Sequence, residues 1–338
     1  MMVSGADELA PFAISIGDPA GIGPEIICKA WEARDTEKLH PFFAVGCAAV
    51  IRSYWSGPLE TIDDPDQAAD VFPRALPVFH LEECTQFEPG MPTPEGAHCA
   101  FHALEMATGF ARSGRASAII TGPVSKAQLY AVGFSYPGQT EFVAERCGVS
   151  SENAIMMLAG PDLRVVPVTT HIPLRQVSEK LTSELLLSRI RATARGLTRN
   201  FGIQHPRLAV AGFNPHAGEG GKMGTEEIDL MRPAIEAAQA EGIDVTGPLP
   251  ADTMFHARAR LNYDVALCAY HDQALIPLKT LYFDQAVNIT LGLPIVRTSP
   301  DHGTAFDIAG RNNARPDSMI AAIRMAHEAV RNRLLQEA

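Results

Sequence analysis

One local pattern recurs along this chain: a short, continuous apolar run, a break at Gly, Pro, Asn or His, and then a helix-like stretch. FAISIGDPAGIGPEIICKAW, ASAIITGPVSKAQLYAVGF and LAVAGFNPHAGEGG are examples. A strand that is apolar without alternation is covered on both faces. The pattern therefore specifies an α/β protein with a mostly parallel sheet and helices on each side. At 338 residues the chain exceeds one ordinary core, which implies two lobes or one large α/β domain. In such sheets ligands gather at the carboxyl ends of strands, so the polar residues that close each run carry the most weight.

The first run, 12–17, breaks at Asp18-Pro19 and again at Gly21-Ile22-Gly23-Pro24-Glu25. Pro24 suits a first helical turn and Glu25 complements the helix dipole, so a helix is expected over 24–34. Residues 59–92 are rich in Pro, Asp and Glu and read as irregular edge structure. Small and apolar residues predict a helix over 96–113. Thr182 and Thr225 are expected N-caps for helices running to 197 and 240, and 316–335 reads as an amphipathic tail helix. With no repeat and no low-complexity linker, a discontinuous two-lobe arrangement is as open as a sequential one.

The formal charge of −11 excludes a nucleic-acid backbone as the natural partner, because no basic surplus exists to displace counterions. A local Lys and Arg cluster can still hold an anionic substrate within an acidic protein. No apolar run is long enough to span a bilayer, so no membrane association is expected. The opening MMVSGADELAPF lacks a basic segment followed by an apolar one and does not read as a secretory signal. Cys28, Cys47, Cys84, Cys99, Cys147 and Cys268 are scattered without a CxxC pair. Buried thiols in a reducing cytoplasm are the expectation.

Three of the eleven histidines sit just beyond strand-like runs: His171 in RVVPVTTHIPL, His216 in LAVAGFNPHAGEGG and His271 in YDVALCAYHDQ. Strand ends of one parallel sheet converge on one edge, so three distant imidazoles can meet there and ligate a divalent metal with positions left open for substrate. Each can equally satisfy a core or loop hydrogen bond. Asp272 and Asp252 are candidates for orienting the imidazoles, or serve as turn and cap residues.

The Gly-rich stretch GEGGKMG, 218–224, fits neither GxGxxG nor GxxxxGK[ST] and reads better as a turn placing His216. Lys126 closes TGPVSK and reads equally as a ligand contact or a solvated helix start. Gln139 and Thr140, in PGQTE, offer amide and hydroxyl donors ahead of a helix, or form a plain capped turn. Lys279, Asn288 and Arg297 lie in or beside apolar stretches. Arg297 closes LGLPIVR, so its guanidinium is expected to emerge at a strand end, suited to bidentate phosphate binding, unless it merely snorkels.

Taken together, SIGDPAGIGPEI, TGPVSKAQLYAVGFSYPGQTEF, MMLAGPDLRVVPVTTHIPLRQV, GFNPHAGEGGKMGTEE, GPLPADTMF, YHDQALIPLKTL and TSPDHGTAFDIAGR resemble the 4-hydroxythreonine-4-phosphate dehydrogenase family of vitamin B6 biosynthesis, in order from about Ile14 to Arg311. DHGTAFDIAG is also similar to the adenine-side cofactor loop of isopropylmalate and isocitrate dehydrogenases. The resemblance implies their two-lobed fold, with residues 1–125 and 300–338 as a cofactor-side lobe and 126–299 as a metal, substrate and dimerisation lobe. It implies His171, His216 and His271 as ligands of one divalent metal (Zn, Mg or Co) at a homodimer interface. Asp252, Asp272 and Lys279 would serve the chemistry. Gln139, Thr140, Lys279, Asn288 and Arg297 would bind substrate, and His302, Gly303, Thr304 and Asp307 would bind NAD or NADP.

The implied reaction is oxidation and decarboxylation of 4-phosphohydroxy-L-threonine to 3-amino-2-oxopropyl phosphate by a cytoplasmic enzyme. The family motif usually reads GHTE, whereas Gln139 stands here at the histidine's place and cannot carry a proton at neutral pH. A related dehydrogenase of phosphorylated erythronate, threonate or a cyclic dihydrodiol is the near alternative. A three-histidine hydrolase or aldolase, or a binding protein on the same scaffold, is the distant one.

Overall fold

A computed structural model describes residues 9–81, 84 and 87–337. Residues 1–8, on which the expectation about a leader partly rests, lie outside them. The chain divides into two compact units, one made of residues up to 149 with 293–330, the other of 150–292 with the residues from 331 on.

Strands are numbered along the chain. The first unit holds β1 (Phe12–Ser15), β2 (Phe42–Gly46), β3 (Leu59–Ile62), β4 (Leu76–His80) and β5 (Ala118–Thr121), together with β12 (Val296–Pro300). Their order is β3-β4-β2-β1-β5-β12, and every pairing is parallel. All residues of β1, β2 and β5 are buried, as uninterrupted apolar runs require when helices cover both faces.

The second unit holds β6 (Ile155–Ala159), β7 (Arg164–Pro167), β8 (Leu208–Ala211), β9 (Val245–Leu249), β10 (Val265–Cys268) and β11 (Val287–Leu291), in the order β11-β6-β7-β10-β8-β9. Here β6 runs antiparallel to β7 and β11, while β7, β10, β8 and β9 are mutually parallel neighbours. The mostly parallel α/β architecture is the one expected.

Helix starts follow local chemistry. Pro94–Arg112 begins where Thr93 Oγ1 accepts the Gly96 N–H at 3.0 Å, with Pro94 in the first turn. Ser183–Phe201 begins where Thr182 Oγ1 accepts the Leu185 N–H at 3.1 Å, and ends at Gly202, whose φ of 67° is left-handed. The first helix spans Gly23–Glu32 and the last Asp317–Glu337.

Three expectations need correction. The stretch 59–92 is not irregular, since it carries β3, β4 and the short helix Ala68–Val71. Edge strand β3 exposes Glu60 and Thr61, which hides it from a search for apolar runs. The helix expected from Thr225 to 240 is continuous, but its first part is a π-turn, Glu227–Met231, followed by Arg232–Ala240. The Thr225 carbonyl accepts the Ile228 and Asp229 N–H groups as the first intrahelical bonds, and its hydroxyl makes no capping hydrogen bond among the described residues. Pro233 has no N–H for the Asp229 carbonyl, which disfavours a regular α-turn there.

The division between units also differs from the expected boundaries at 125/126 and 299/300. Residues 126–149 belong to the first unit, where the Phe134 and Phe142 rings pack 5.4 and 5.5 Å from Phe101 and Arg146 forks onto Glu105. Residues 293–299 join the same unit because β12 pairs with β5. Residues from 331 on join the second unit, where Arg333 Nε donates to Asn200 Oδ1 at 2.8 Å.

All six cysteines are free thiols, and burial pushes those of Cys28 and Cys268 above the ordinary thiol range, which keeps them unreactive. Among the described residues no helix is long and apolar enough to cross a membrane.

Candidate active site

In the second unit the three singled-out histidines follow β7, β8 and β10, whose carboxyl ends share one edge of the sheet. His171 has φ 47° and His216 φ 53°. Side-chain-bearing residues avoid this left-handed region at a cost of about 1–2 kcal/mol each, so its use beside two candidate ligands is a mark of function. His271 opens the helix His271–Tyr282.

The structure brings two of the three together. The His171 and His271 ring centroids are 5.7 Å apart, above a cavity of about 150 Å³ that Thr169, Tyr270 and Asp272 also line. Asp272 lies against one of these rings: its Oδ1 is 2.7 Å from His271 Nδ1. A neutral imidazole donating Nδ1–H to that carboxylate turns the Nε2 lone pair outward, the form a metal takes. His216 is not part of this pair. Among the described residues no group of three His, Cys, Asp or Glu is placed to hold a metal ion. Two imidazoles with an orienting carboxylate fit two corners of a divalent site, and the described residues place no third such donor beside them.

His216 lies in a turn, Pro215–Gly221, where His216, Ala217, Gly218, Glu219 and Gly220 all take left-handed dihedrals in succession. What holds it there is Glu227, a carboxylate only 2% exposed. Glu227 Oε1 accepts the Asn214 N–H at 2.6 Å and Oε2 accepts Asn214 Nδ2 at 3.0 Å. Gly218 lies so close that a Cβ would meet Glu227 Oε2. Gln273 then ties the two histidine-bearing segments together. Its Oε1 accepts the Ala269 N–H (2.7 Å) and its Nε2 donates to the Gly212 carbonyl (2.8 Å). Neither Glu227 nor Gln273 is singled out by sequence reasoning. The only signal was their place beside the motifs, in GTEE and YHDQ.

The other candidates of this unit are spread more widely. Asp252 is exposed on the turn Ala251–Thr253, which packs against the His216 turn, and makes no hydrogen bond to an imidazole among the described residues. Lys279 is half-buried on the helix His271–Tyr282, two turns beyond His271. Asn288, on β11, has a buried Oδ1 that meets no hydrogen-bond partner within the described chain.

In the first unit Arg297 departs from its expected place at a strand end. Gly292 to Pro294 interrupt LGLPIVR, so Arg297 is the second residue of β12, in register with Ile119 of β5. Its long side chain instead runs toward the carboxyl end of β5. Nη2 donates to Thr121 Oγ1 at 2.7 Å and Nη1 to Thr140 Oγ1 at 3.2 Å. The residue is 4% exposed, and burial pulls its pKa down to about 10, against a smaller opposing effect of Glu141. At neutral pH it stays charged. Each threonine oxygen accepts from the guanidinium, so each hydroxyl proton remains available to a ligand. Gln139, at the start of the helix Gln139–Arg146, donates Nε2 to the Gly122 carbonyl at 3.1 Å, while its buried Oε1 meets no partner. A buried cation and two hydroxyls make a receptor for an oxyanion, and the unpartnered amide oxygen of Gln139 can accept only from a ligand hydroxyl or ammonium.

The loop of His302, Gly303, Thr304 and Asp307 lies in the same unit. Thr304 O accepts the Ile22 N–H at 3.0 Å, and a Cβ on Gly21 would press on Thr304. The glycines of DPAGIGPE thus allow close approach of this loop. Buried Glu25 accepts the Ala314 N–H and pairs with Lys29, both at 2.8 Å, fastening the far end of the loop. His302 has a buried Nε2 without a partner within the described chain, and nothing lies within 4 Å of the position a Gly303 Cβ would take. Asp307 is exposed. An open backbone beside an unsatisfied imidazole nitrogen fits contact with a cofactor.

The family model described as pyridoxal phosphate biosynthetic protein PdxA matches residues 38–326. A 4-hydroxythreonine-4-phosphate dehydrogenase of Zymomonas mobilis subsp. mobilis is 56% identical over 325 residues, 96% of this chain and 97% of the relative. A crystal structure of 4-hydroxythreonine-4-phosphate dehydrogenase from Klebsiella pneumoniae superposes with a TM-score of 0.84 at 38% identity, covering 95% of this chain and 99% of that one. A terephthalate 1,2-cis-dihydrodiol dehydrogenase from Burkholderia xenovorans LB400 follows at a TM-score of 0.64 and 31% identity, covering 94% and 98%. With most of its length matched at more than half identity, the chain belongs to the PdxA family of pyridoxal phosphate biosynthetic proteins.

Proposed function

We propose that this protein is a cytoplasmic 4-hydroxythreonine-4-phosphate dehydrogenase. It oxidises the C3 hydroxyl of 4-phosphohydroxy-L-threonine with NAD+ or NADP+, then releases the neighbouring carboxylate as CO2 to leave 3-amino-2-oxopropyl phosphate. Hydride passes to nicotinamide and the hydroxyl proton is lost. The β-keto acid so formed has a carbonyl placed to take up the electrons of the breaking C–C bond.

The observation that carries this assignment is the buried Arg297 fork on Thr121 and Thr140, in a chain of this family. A cation held out of water beside two hydroxyl donors favours a phosphate over a neutral diol. Gln139 can hydrogen-bond the same substrate through its free oxygen but moves no proton. In the second unit, Lys279 with its ammonium and Asn288 with its buried, unpartnered amide oxygen are the proposed substrate contacts. The loop of His302, Gly303, Thr304 and Asp307 takes the adenosine side of the cofactor, which brings the hydride acceptor.

His171, His216 and His271 would hold a divalent cation (Zn, Mg or Co), with Asp272 fixing the His271 tautomer and Asp252 on a turn packed against that of His216. When bound, such an ion supplies a Lewis acid that favours loss of the hydroxyl proton and steadies negative charge at that oxygen. Because one chain assembles only the His171 and His271 pair, the third ligand is assigned to a second copy, in a homodimer.

Purified protein with 4-phosphohydroxy-L-threonine and NAD+ or NADP+ should produce NAD(P)H and CO2 in equal amounts, and a chelator should suppress both. Higher kcat/KM on phosphorylated erythronate, threonate or a dihydrodiol would overturn the substrate assignment. Co-expressed His171→Ala and His216→Ala chains, each inactive alone, should regain about a quarter of wild-type activity by forming mixed dimers with one intact site. Absence of any recovery in verified mixed dimers removes the shared-site assignment.

A further inference from the structure

The second unit contains a further cavity, of about 950 Å³, whose lining includes none of His171, His216 and His271. It opens where the chain enters β8 and β9, at residues 204–206 and 241–244. These are the amino ends of parallel strands, whereas His216 and Asp252 follow the carboxyl ends of the same two strands. Catalysis in α/β sheets belongs to the carboxyl edge, so this cavity has another use.

Its lining is basic in a chain whose net charge is −11. Arg191, Arg195 and Arg199 project from the helix Ser183–Phe201, Arg333 comes from the helix Asp317–Glu337, and His205 from the loop before β8. The spacing of four aligns the first three on one helical face, spread over about 12 Å, and like charges so placed repel. Compensation within the chain is partial. Arg191 forks onto Glu241, and Arg333, 8% exposed, is fixed by Asn200 Oδ1. Arg195 is exposed and makes no hydrogen bond or ion pair among the described residues. Asp244, the other acid of the lining, lies in the field of Arg207. The helix dipole accounts for a cation in the last turn, such as Arg199, but its effect fades within one turn and does not reach Arg191 or Arg195.

We propose that this cavity binds a small polyanion bearing two or more phosphate groups, at a site distinct from the substrate and cofactor positions. A volume of about 950 Å³ accommodates a ligand of nucleotide size. A guanidinium row spread along one helix face matches a chain of phosphates better than a single one. Inorganic polyphosphates and nucleoside polyphosphates share this chemistry, and the test separates them.

Titration calorimetry on the full-length protein would use tripolyphosphate, ATP and orthophosphate, with the Arg195 variants separating this cavity from the cofactor site. Tripolyphosphate should bind at least about tenfold more tightly than orthophosphate, with affinity falling steeply as salt rises. ATP tighter than tripolyphosphate identifies a nucleotide, and the reverse a bare polyphosphate. Arg195→Ala should weaken binding about tenfold, and Arg195→Glu should abolish it. Both variants should keep the wild-type Tm, and their kcat without polyanion should be unchanged. No heat with either polyphosphate overturns the proposal, as does equal affinity in wild type and both variants.

Discussion

Arg297→Ala is expected to lower kcat/KM for the phosphorylated hydroxy acid roughly 100- to 1,000-fold, the largest loss from any single change in the first unit. The guanidinium directs its two Nη groups at Thr121 and Thr140, and that fork fixes which way both hydroxyl protons point. A hydrogen bond to a charged group contributes about 1.5–3 kcal/mol, and an ordered pair of them yields a loss of that size. Stability should move little. The side chain is 4% exposed, and burial already opposes its charge, as the pKa pulled down to about 10 indicates. Removing a charge that burial disfavours offsets much of the packing lost with the side chain. Arg297→Lys should recover only about tenfold, because an ammonium cannot present the same planar fork. KM in wild type should stay flat through neutral pH and rise only as pH approaches 10, where the guanidinium starts to discharge. Steady-state kinetics with a thermal melt of each variant decide this. Wild-type kcat/KM in a folded Arg297→Ala protein would refute the role.

How much of this was legible beforehand depended on whether the cause was local. Buried strands such as β1 and β5 were readable, because continuous apolar runs between Gly and Pro have few other uses. Edge strand β3 was not, since its exposed residues are polar. Thr182 capped as expected through its own hydroxyl, while the helix assigned to Thr225 begins with the π-turn ahead of Pro233. The histidine segments were found at the strand ends where they belong. Their left-handed backbone was hidden, because His216, Ala217 and Glu219 prefer other conformations and are held by contacts distant in sequence. Arg297 was expected at a strand end, and it lies inside β12. Only the turn at Gly292 and the register with β5 reveal that its side chain, not its backbone, reaches the carboxyl edge.

Glu227→Ala should weaken binding of the proposed divalent metal while leaving most of the fold in place. Three residues with side chains, His216, Ala217 and Glu219, sit in the left-handed region, at about 1–2 kcal/mol each. Against that strain stand the two hydrogen bonds from Asn214 to the Glu227 carboxylate, at about 1.5–3 kcal/mol each. The two sums are comparable, so removing the carboxylate tips the turn toward ordinary dihedrals and swings His216 away. Supporting residues of this kind typically control about 10- to 100-fold in metal affinity, and turnover should fall in parallel. Glu227→Gln should land between. Its amide oxygen can still accept the Asn214 N–H, but its amide nitrogen then faces another donor, Asn214 Nδ2. The informative measurement is zinc affinity by competition with a chromophoric chelator, since a general loss of stability lowers Tm without ordering the variants this way. The turn itself should become cleavable by protease between Gly218 and Met223 in Glu227→Ala alone. Zinc affinity within about twofold of wild type in that variant would mean that the carboxylate only fills space, and that the strained turn owes nothing to it.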